Sequence, residues 1–309
     1  MKIVFMGTPA AAAPSLARLL KDGHEVVAVY SQPDKPSGRG NKVSFSPVKE
    51  FALERDLPVL QPAKIRTPEA LDEFRSHSAE VAVVVAYGRI LPGTYLTAFP
   101  QGVINVHFSL LPKYRGAAPV NWAIANGETE TGVTTMLMDE GLDTGDVYLQ
   151  KRTLIGEEEN SIQLMDRLAL IGADLLSETL GDLSTIASVK QESDESSLAP
   201  IMKKEDGAID WQMASKEIAN RVRGFQPFPT AYSRYQDRKL TLFRARAIES
   251  ESSESLPGRV IEAKGDNLIV ACGSGTALQV EELQLEGKRR MPTRDFLNGV
   301  KLLAGERLG

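Results

Sequence analysis

Cysteine, histidine and aromatic side chains are all scarce in this chain. Its 309 residues include one Cys, three His and two Trp, and aromatics make up 6%. A single cysteine excludes an internal disulfide and a multi-thiolate metal site, so no metal is expected. Cys272 stands in the alternating run LIVACGSG, where a buried or half-buried small apolar side chain is expected. No window approaches the roughly 18 apolar residues of a membrane span, and no membrane partner is expected. The opening MKIVFMGTP reaches Gly7 too early for a signal peptide and reads as a first strand, which makes the cytoplasm the expected compartment. Glycine is sparse where nucleotide binding would need it. After that strand the turn runs Gly7-Thr8-Pro9-Ala10-Ala11-Ala12, one glycine in place of a G-x-G-x-x-G fingerprint, and no P-loop motif occurs. A dinucleotide-dependent dehydrogenase is set aside on that ground.

What is present is ordinary for a globular protein: 42% hydrophobic and 25% charged residues, in a length that suggests about two domains. The net charge of −5 is unevenly spread. Residues 1–206 carry 20 basic and 28 acidic side chains, residues 207–309 carry 16 and 13. A basic C-terminal third suits a polyanion partner, though an excess of three decides nothing alone.

Short β-branched runs at Ile3–Met6, Val26–Tyr30, Val81–Ala86, Val103–Val106 and Val133–Met138 alternate with helical patterns such as Ala10–Lys21. Their continuous apolar character predicts strands of a parallel sheet covered on both faces. A longer helix is predicted from about Asn160, with Gln163 in the reciprocal capping position and Leu164, Leu168, Ile171 and Leu175 at helical spacing. The fold class is α/β: a doubly wound, Rossmann-like domain over 1–187. Residues 188–206, Ser-rich and without apolar periodicity, read as a linker. Residues 207–309 read as a small β-rich, OB-like barrel domain, with KLTLFRAR at 239–246, a hairpin around Lys264–Asn267 and a further strand at Val280–Leu285.

Ligands of open α/β sheets bind at the carboxyl ends of the strands. There the run GVINVHFSLLPKYRGAAP sets Asn105 and His107 two residues apart on one strand face. The segment from Asp139 to Asp146 supplies carboxylates after the next strand. Asn, His and Asp brought to one strand edge suit attack of an amine on an acyl or formyl carbon. An amide can donate to the developing oxyanion, and an imidazole oriented by a carboxylate can carry a proton. No Ser or Cys sits in a nucleophile elbow, which favours direct transfer over a covalent intermediate.

At these residues the chain resembles the folate-dependent formyltransferase family, and within it the branch that acts on methionyl-tRNA. The matching phrases are FMGTP at 5–9, QPDKPSGRG at 32–40, SPVK at 46–49, VVVAYGRILP at 83–92 and INVHFSLLPKYRGAAP at 104–119. TGVTTMLMDEGLDTGD at 131–146, KKEDGAIDW at 203–211 and RGFQPFPTAY at 223–232 complete the set. The resemblance implies that Asn105, His107 and Asp143 are catalytic. It implies formyl transfer from 10-formyltetrahydrofolate, as co-substrate, to the α-amine of methionine on initiator methionyl-tRNA, by a monomer. The implied folate pocket comprises Ala86, Tyr87, Gly88, Ile90, Leu91 and Pro92, then Ser109, Leu110, Leu111 and Pro112, with Asp139, Gly141 and Leu142. The implied tRNA-facing insertion spans Asp34–Pro47 and carries Arg39 and Lys42; the C-terminal domain is also implied to contact tRNA, with Lys288, Arg289 and Arg290 as candidate phosphate contacts.

Two positions depart from the family pattern. Phe108 follows the histidine where many relatives have a small residue, which predicts an altered cleft wall, and Phe225–Pro229 lacks a common Trp. The alternatives are a formyltransferase acting on a small amine, such as an amino sugar nucleotide or a purine precursor, and a non-catalytic RNA-binding module.

Overall fold

A computed structural model describes residues 1–37, 42–249 and 255–309. The chain divides into two compact units. The first comprises 1–119, 130–154 and 165–200; the second comprises 120–129, 155–164 and 201–309.

The strands of the first unit are β1 (Lys2–Gly7), β2 (Glu25–Tyr30), β3 (Lys35–Ser37), β4 (Lys42–Ser44), β5 (Val59–Leu60), β6 (Val81–Val85), β7 (Val103–His107), β8 (Arg115–Gly116), β9 (Glu130–Leu137), β10 (Val147–Leu154) and β11 (Leu198–Ala199). Seven of them form one sheet in the order β10-β9-β7-β6-β1-β2-β5. β5, β2, β1, β6 and β7 run parallel. β9 is antiparallel to β7, and β10 to β9. The expected fifth parallel strand is therefore reversed, a distinction that strand composition does not carry, since a buried strand is apolar in either direction. β10 and the two-residue β5 have no clear imprint, because VYLQKRTL is a half-exposed edge strand.

Strand order reverses between β1 and β6, the crevice where open sheets bind ligands. On one face a layer of Tyr30, Phe74, Tyr87, Tyr95 and Phe99 packs over Val4, Met6, Ala82 and Val84. On the other, the helix Ser161–Gly181 lies close because Gly172 has no side chain: a Cβ there would stand 2.9 Å from Val106 Cγ1 and 3.4 Å from Phe108 Cε1. Phe108, 5% exposed, is thus core beneath that helix. It faces away from Asn105 and His107, and the expectation that it shapes the cleft wall is corrected: adjacent residues of a strand point to opposite faces. The helix begins with the predicted reciprocal cap, in which Asn160 Oδ1 accepts from the Ile162 and Gln163 amides and Gln163 Oε1 accepts from the Asn160 amide, each at 3.0 Å.

The stretch expected as a linker is only partly a tether. Val189 pairs with Val147, and β11 pairs in parallel with β8.

In the second unit β12 (Ala231–Tyr235), β13 (Arg238–Ile248), β14 (Val260–Lys264), β15 (Asn267–Ala271) and β16 (Ala277–Leu285) pair in the order β12-β13-β16-β15-β14, and β17 (Met291–Pro292) adds to β16. The predicted hairpin is β14–β15, turning at Gly265 with φ +60°. Leu240, Leu242, Leu268, Val270, Leu278, Val280 and Leu283 build the core with Trp211 and Phe296. Where a Trp was lacking, fully buried Phe225 sets its ring edge-on to Trp122, centroids 5.5 Å apart. Cys272 is 2% exposed, and burial pushes its thiol up to about 12. Only the thiolate reacts readily. Ellman's reagent should therefore label the unfolded chain promptly and the native protein slower by orders of magnitude; rapid native labelling would show that this core opens.

Candidate active site

Asn105 and His107 occupy the last turn of the pleat of β7, on the face away from Phe108, and are 7% and 6% exposed. The His107 ring is held from both sides. Nε2 lies 2.9 Å from the Tyr114 carbonyl oxygen, an acceptor only, so this nitrogen carries a proton and donates. Nδ1 then faces Asp143, whose Oδ2 stands 3.7 Å away. In the neutral ring Nδ1 is bare, so it and the carboxylate are both acceptors and no hydrogen bond joins them. A proton arriving at Nδ1 would complete an imidazolium–carboxylate pair. Asp143 Oδ2 also accepts from the Gly116 amide at 2.7 Å.

The route by which Asp143 arrives differs from expectation. Because β9 is antiparallel, its last residue, Leu137, pairs with Ile104 near the start of β7, while His107 pairs with Thr134 in mid-strand. The loop 138–146 leaves beside the beginning of β7 and returns to meet the residue at its end. Asp143 takes φ +52° on the way. Asp139 braces this loop, accepting from the Gly141 amide at 3.0 Å and the Thr144 hydroxyl at 2.7 Å; Gly141 and Leu142 are exposed beside it.

The segment after β6 sits at the strand-order reversal. Ala86 and Gly88 have positive φ, +47° and +84°, and residues alternate along it: Ala86, Gly88 and Ile90 are exposed, Tyr87 and Leu91 buried. Tyr87 and Leu91 serve as floor, and the Tyr87 carbonyl accepts from Thr8 Oγ1 and Gln32 Nε2. Among the described residues the backbones of Gly88 and Ile90 make no hydrogen bond. An exposed stretch of this kind offers its donors and acceptors to a flat heterocycle edge, and Pro92, half-buried, closes it.

Ser109–Pro112 forms the neighbouring wall. Ser109 Oγ donates to the Lys113 carbonyl at 2.6 Å. Leu111 is buried, and its amide donates to Thr134 Oγ1, while Leu110 and Pro112 are half-buried. Thr134 and Gln150 lock the turn: Thr134 Oγ1 donates to the Ser109 carbonyl, and Gln150 Nε2 to the Leu111 carbonyl, both at 2.7 Å. Neither residue has a sequence signal, since each works through a contact made across the sheet.

Arg39 lies outside the described residues; Lys42 begins β4, whose backbone pairs with β3 at Ser37. At the base of that loop Asp34 accepts from Lys49 Nζ at 2.5 Å and Gln61 Nε2 at 2.8 Å, contacts that hold its carboxyl below the usual range. In the second unit Lys288 and Arg289 are exposed, while Arg290 pairs with Glu282 at 2.5 Å and lies over the Phe243 ring. Among the described residues no three His, Cys, Asp or Glu side chains gather as metal ligands would, and no helix is long and apolar enough to cross a membrane.

Residues 1–180 match the family model described as formyl transferase, and residues 201–301 that of the formyl transferase C-terminal domain. A methionyl-tRNA formyltransferase of Geobacter sulfurreducens is 48% identical over 311 residues, covering 100% of this chain and 97% of the relative. That of Citrifermentans bemidjiense is 50% identical over 311 residues, covering 100% and 96%. The solved structure of a sugar 3N-formyl transferase, obtained in the presence of dTDP and 5-N-formyl-THF, aligns with a TM-score of 0.67 over 94% of this chain and 99% of its own; at 21% identity it shows a shared fold.

Proposed function

Because this chain belongs to the formyl transferase family, we propose that it moves the formyl group of 10-formyltetrahydrofolate onto the α-amine of methionine carried by initiator tRNA. The observation that carries the acceptor is full-length identity of 48–50% to methionyl-tRNA formyltransferases, through both units. The sugar enzyme shares the fold at 21% identity, which lends a small-amine acceptor no comparable support. The residues after β6 fit a folate, with exposed backbone at Gly88 and Ile90 for a pterin edge and exposed Ile90 and Leu142 side chains to cover it.

The reaction is direct transfer from donor to amine. As the amine adds to the formyl carbon, negative charge grows on the formyl oxygen, and the Asn105 amide donates to it. His107 takes the amine proton at Nδ1, the nitrogen left open by the Nε2–Tyr114 hydrogen bond. Asp143, 3.7 Å away, stabilises the imidazolium that results. The tetrahedral adduct then collapses, the bond from the formyl carbon to N10 breaks, and the imidazolium returns its proton to N10 as tetrahydrofolate leaves. The protein works as a monomer in the cytoplasm, residues 1–187 supplying the chemistry and 207–309 a surface for tRNA. The test is formyl transfer from 10-formyltetrahydrofolate with charged initiator tRNA, free methionine and small amines offered separately. Transfer confined to charged tRNA is expected; transfer to a small amine would move the acceptor, and none at all would remove the enzyme.

Arg39 is proposed to enter the acceptor arm. Arg39→Ala should raise the KM for charged tRNA about tenfold or more, the size of one charge-assisted hydrogen bond, and leave folate affinity unchanged. Equilibrium binding of each substrate checks this, and lost folate affinity would count against the assignment.

A further inference from the structure

We propose that Gln191 is a positioning residue for formyl transfer, its one carboxamide holding Asp143 at working distance from His107. The proposal rests on the roles given above to that pair. Gln191 Nε2 donates to the Asp143 carbonyl at 2.9 Å and to the Gly145 carbonyl at 2.7 Å. Its Oε1 accepts from Arg115 Nε at 3.1 Å and Nη2 at 2.7 Å. All the ordinary bonds an amide can make on these edges are therefore spent on the two loops that carry the pair.

The surrounding segment works in the same direction. Residues 189–199 cross both loops as a strap. At one end Val189 exchanges two 2.8 Å backbone bonds with Val147, just after the Asp143 loop. At the other end the Ser197 carbonyl accepts from the Arg115 amide at 2.8 Å, Ser197 Oγ from the Tyr114 amide at 2.9 Å, and the Ala199 carbonyl from the Ala117 amide at 2.9 Å. Tyr114 is the residue whose carbonyl orients His107. One strap thus fixes His107 through Tyr114 and Asp143 through Gln191. Gly116 allows the close approach: a Cβ there would stand 2.7 Å from the Ala199 carbonyl oxygen. Asp143 sits at φ +52°, a backbone state that non-glycine residues hold only when their surroundings impose it, and Gln191 binds its carbonyl.

The experiment compares Gln191→Leu and Gln191→Glu in the full chain, each alone and combined with Asp143→Ala. Glu keeps the acceptor for Arg115 but, ionised, cannot donate to the two carbonyls, so both variants lose the tie to the Asp143 loop. Displacement of a reacting group by about 1 Å can cost up to about a hundredfold in rate. Each variant is expected to lower kcat about tenfold, with KM for folate and charged tRNA within about twofold and the chain fully folded at the assay temperature. In the Asp143→Ala background neither should lower kcat further, because no carboxylate remains to be positioned. Single-turnover assays read both backgrounds. Undiminished kcat in Gln191→Leu, an equal loss in the two backgrounds, or a loss explained by a fallen thermal midpoint in both variants would overturn the proposal. Normal turnover of Asp143→Ala alone would instead overturn the reading beneath it.

Discussion

Asn105→Ala is expected to lower turnover by on the order of 100-fold or more, the effect typical of removing one oxyanion donor. The reasons are local. Asn105 is 7% exposed on the same strand face as His107, and its amide has no hydrogen-bond partner among the described residues. An amide donor that the protein leaves unpaired is open to an incoming acceptor. A developing formyl oxyanion is such a group, and it pairs most strongly in the transition state, so the loss should fall on kcat more than on folate binding. Asp143→Ala should cost as much by a different route, since an imidazolium at His107 would lose its counter-charge. Single-turnover rates with saturating charged tRNA, set beside folate dissociation constants, measure both. Near-normal turnover in the two variants would remove the catalytic assignment of the trio.

Phe74→Ala is expected to destabilise the first unit by about 3–5 kcal/mol, the usual cost of emptying a buried aromatic site. The Phe74 ring is fully buried and touches Tyr30, Tyr95 and Phe99 at centroid distances of 5.5, 4.6 and 4.7 Å. Stacked or edge-on aromatic pairs add about 0.5–1.5 kcal/mol each beyond burial. Three neighbouring rings are too rigid to collapse into the space, which places the cost toward the upper end. The same layer includes Tyr87 and Leu91, the floor of the exposed Ala86–Pro92 segment, so affinity at the proposed folate site should weaken along with stability. Amide hydrogen exchange of β1 and β6, the strands beneath this layer, provides the measurement. Protection reduced by less than about fivefold, under 1 kcal/mol, would show that the layer does not hold the unit together.

Much of this molecule was legible in its residues. The central strands could be read from β-branched runs, because burial on both faces admits little else. The cap at Asn160 and the hairpin at Gly265 could be read because a cap or a turn is satisfied within three or four residues. Asn105 and His107 could be paired because a strand's two-residue period places them on one face wherever it lies. Asp143 was identifiable as a carboxylate in a glycine-rich segment, and its site role came from the family resemblance.

The direction of β9, the return of the 138–146 loop, the side of the sheet occupied by Phe108 and the strap through Gln191 were decided only in three dimensions. Each depends on hydrogen bonds or contacts between residues far apart in the chain, such as Gln191 with Asp143 and Arg115, or Phe108 with Gly172. Such pairings leave no period in the sequence. A run like SVKQESDESSLAP carries the polar composition of a tether, and only the positions of the loops it crosses make it a clamp. Local chemistry determined which groups could take part in the reaction, and the tertiary fold determined the distances at which they meet.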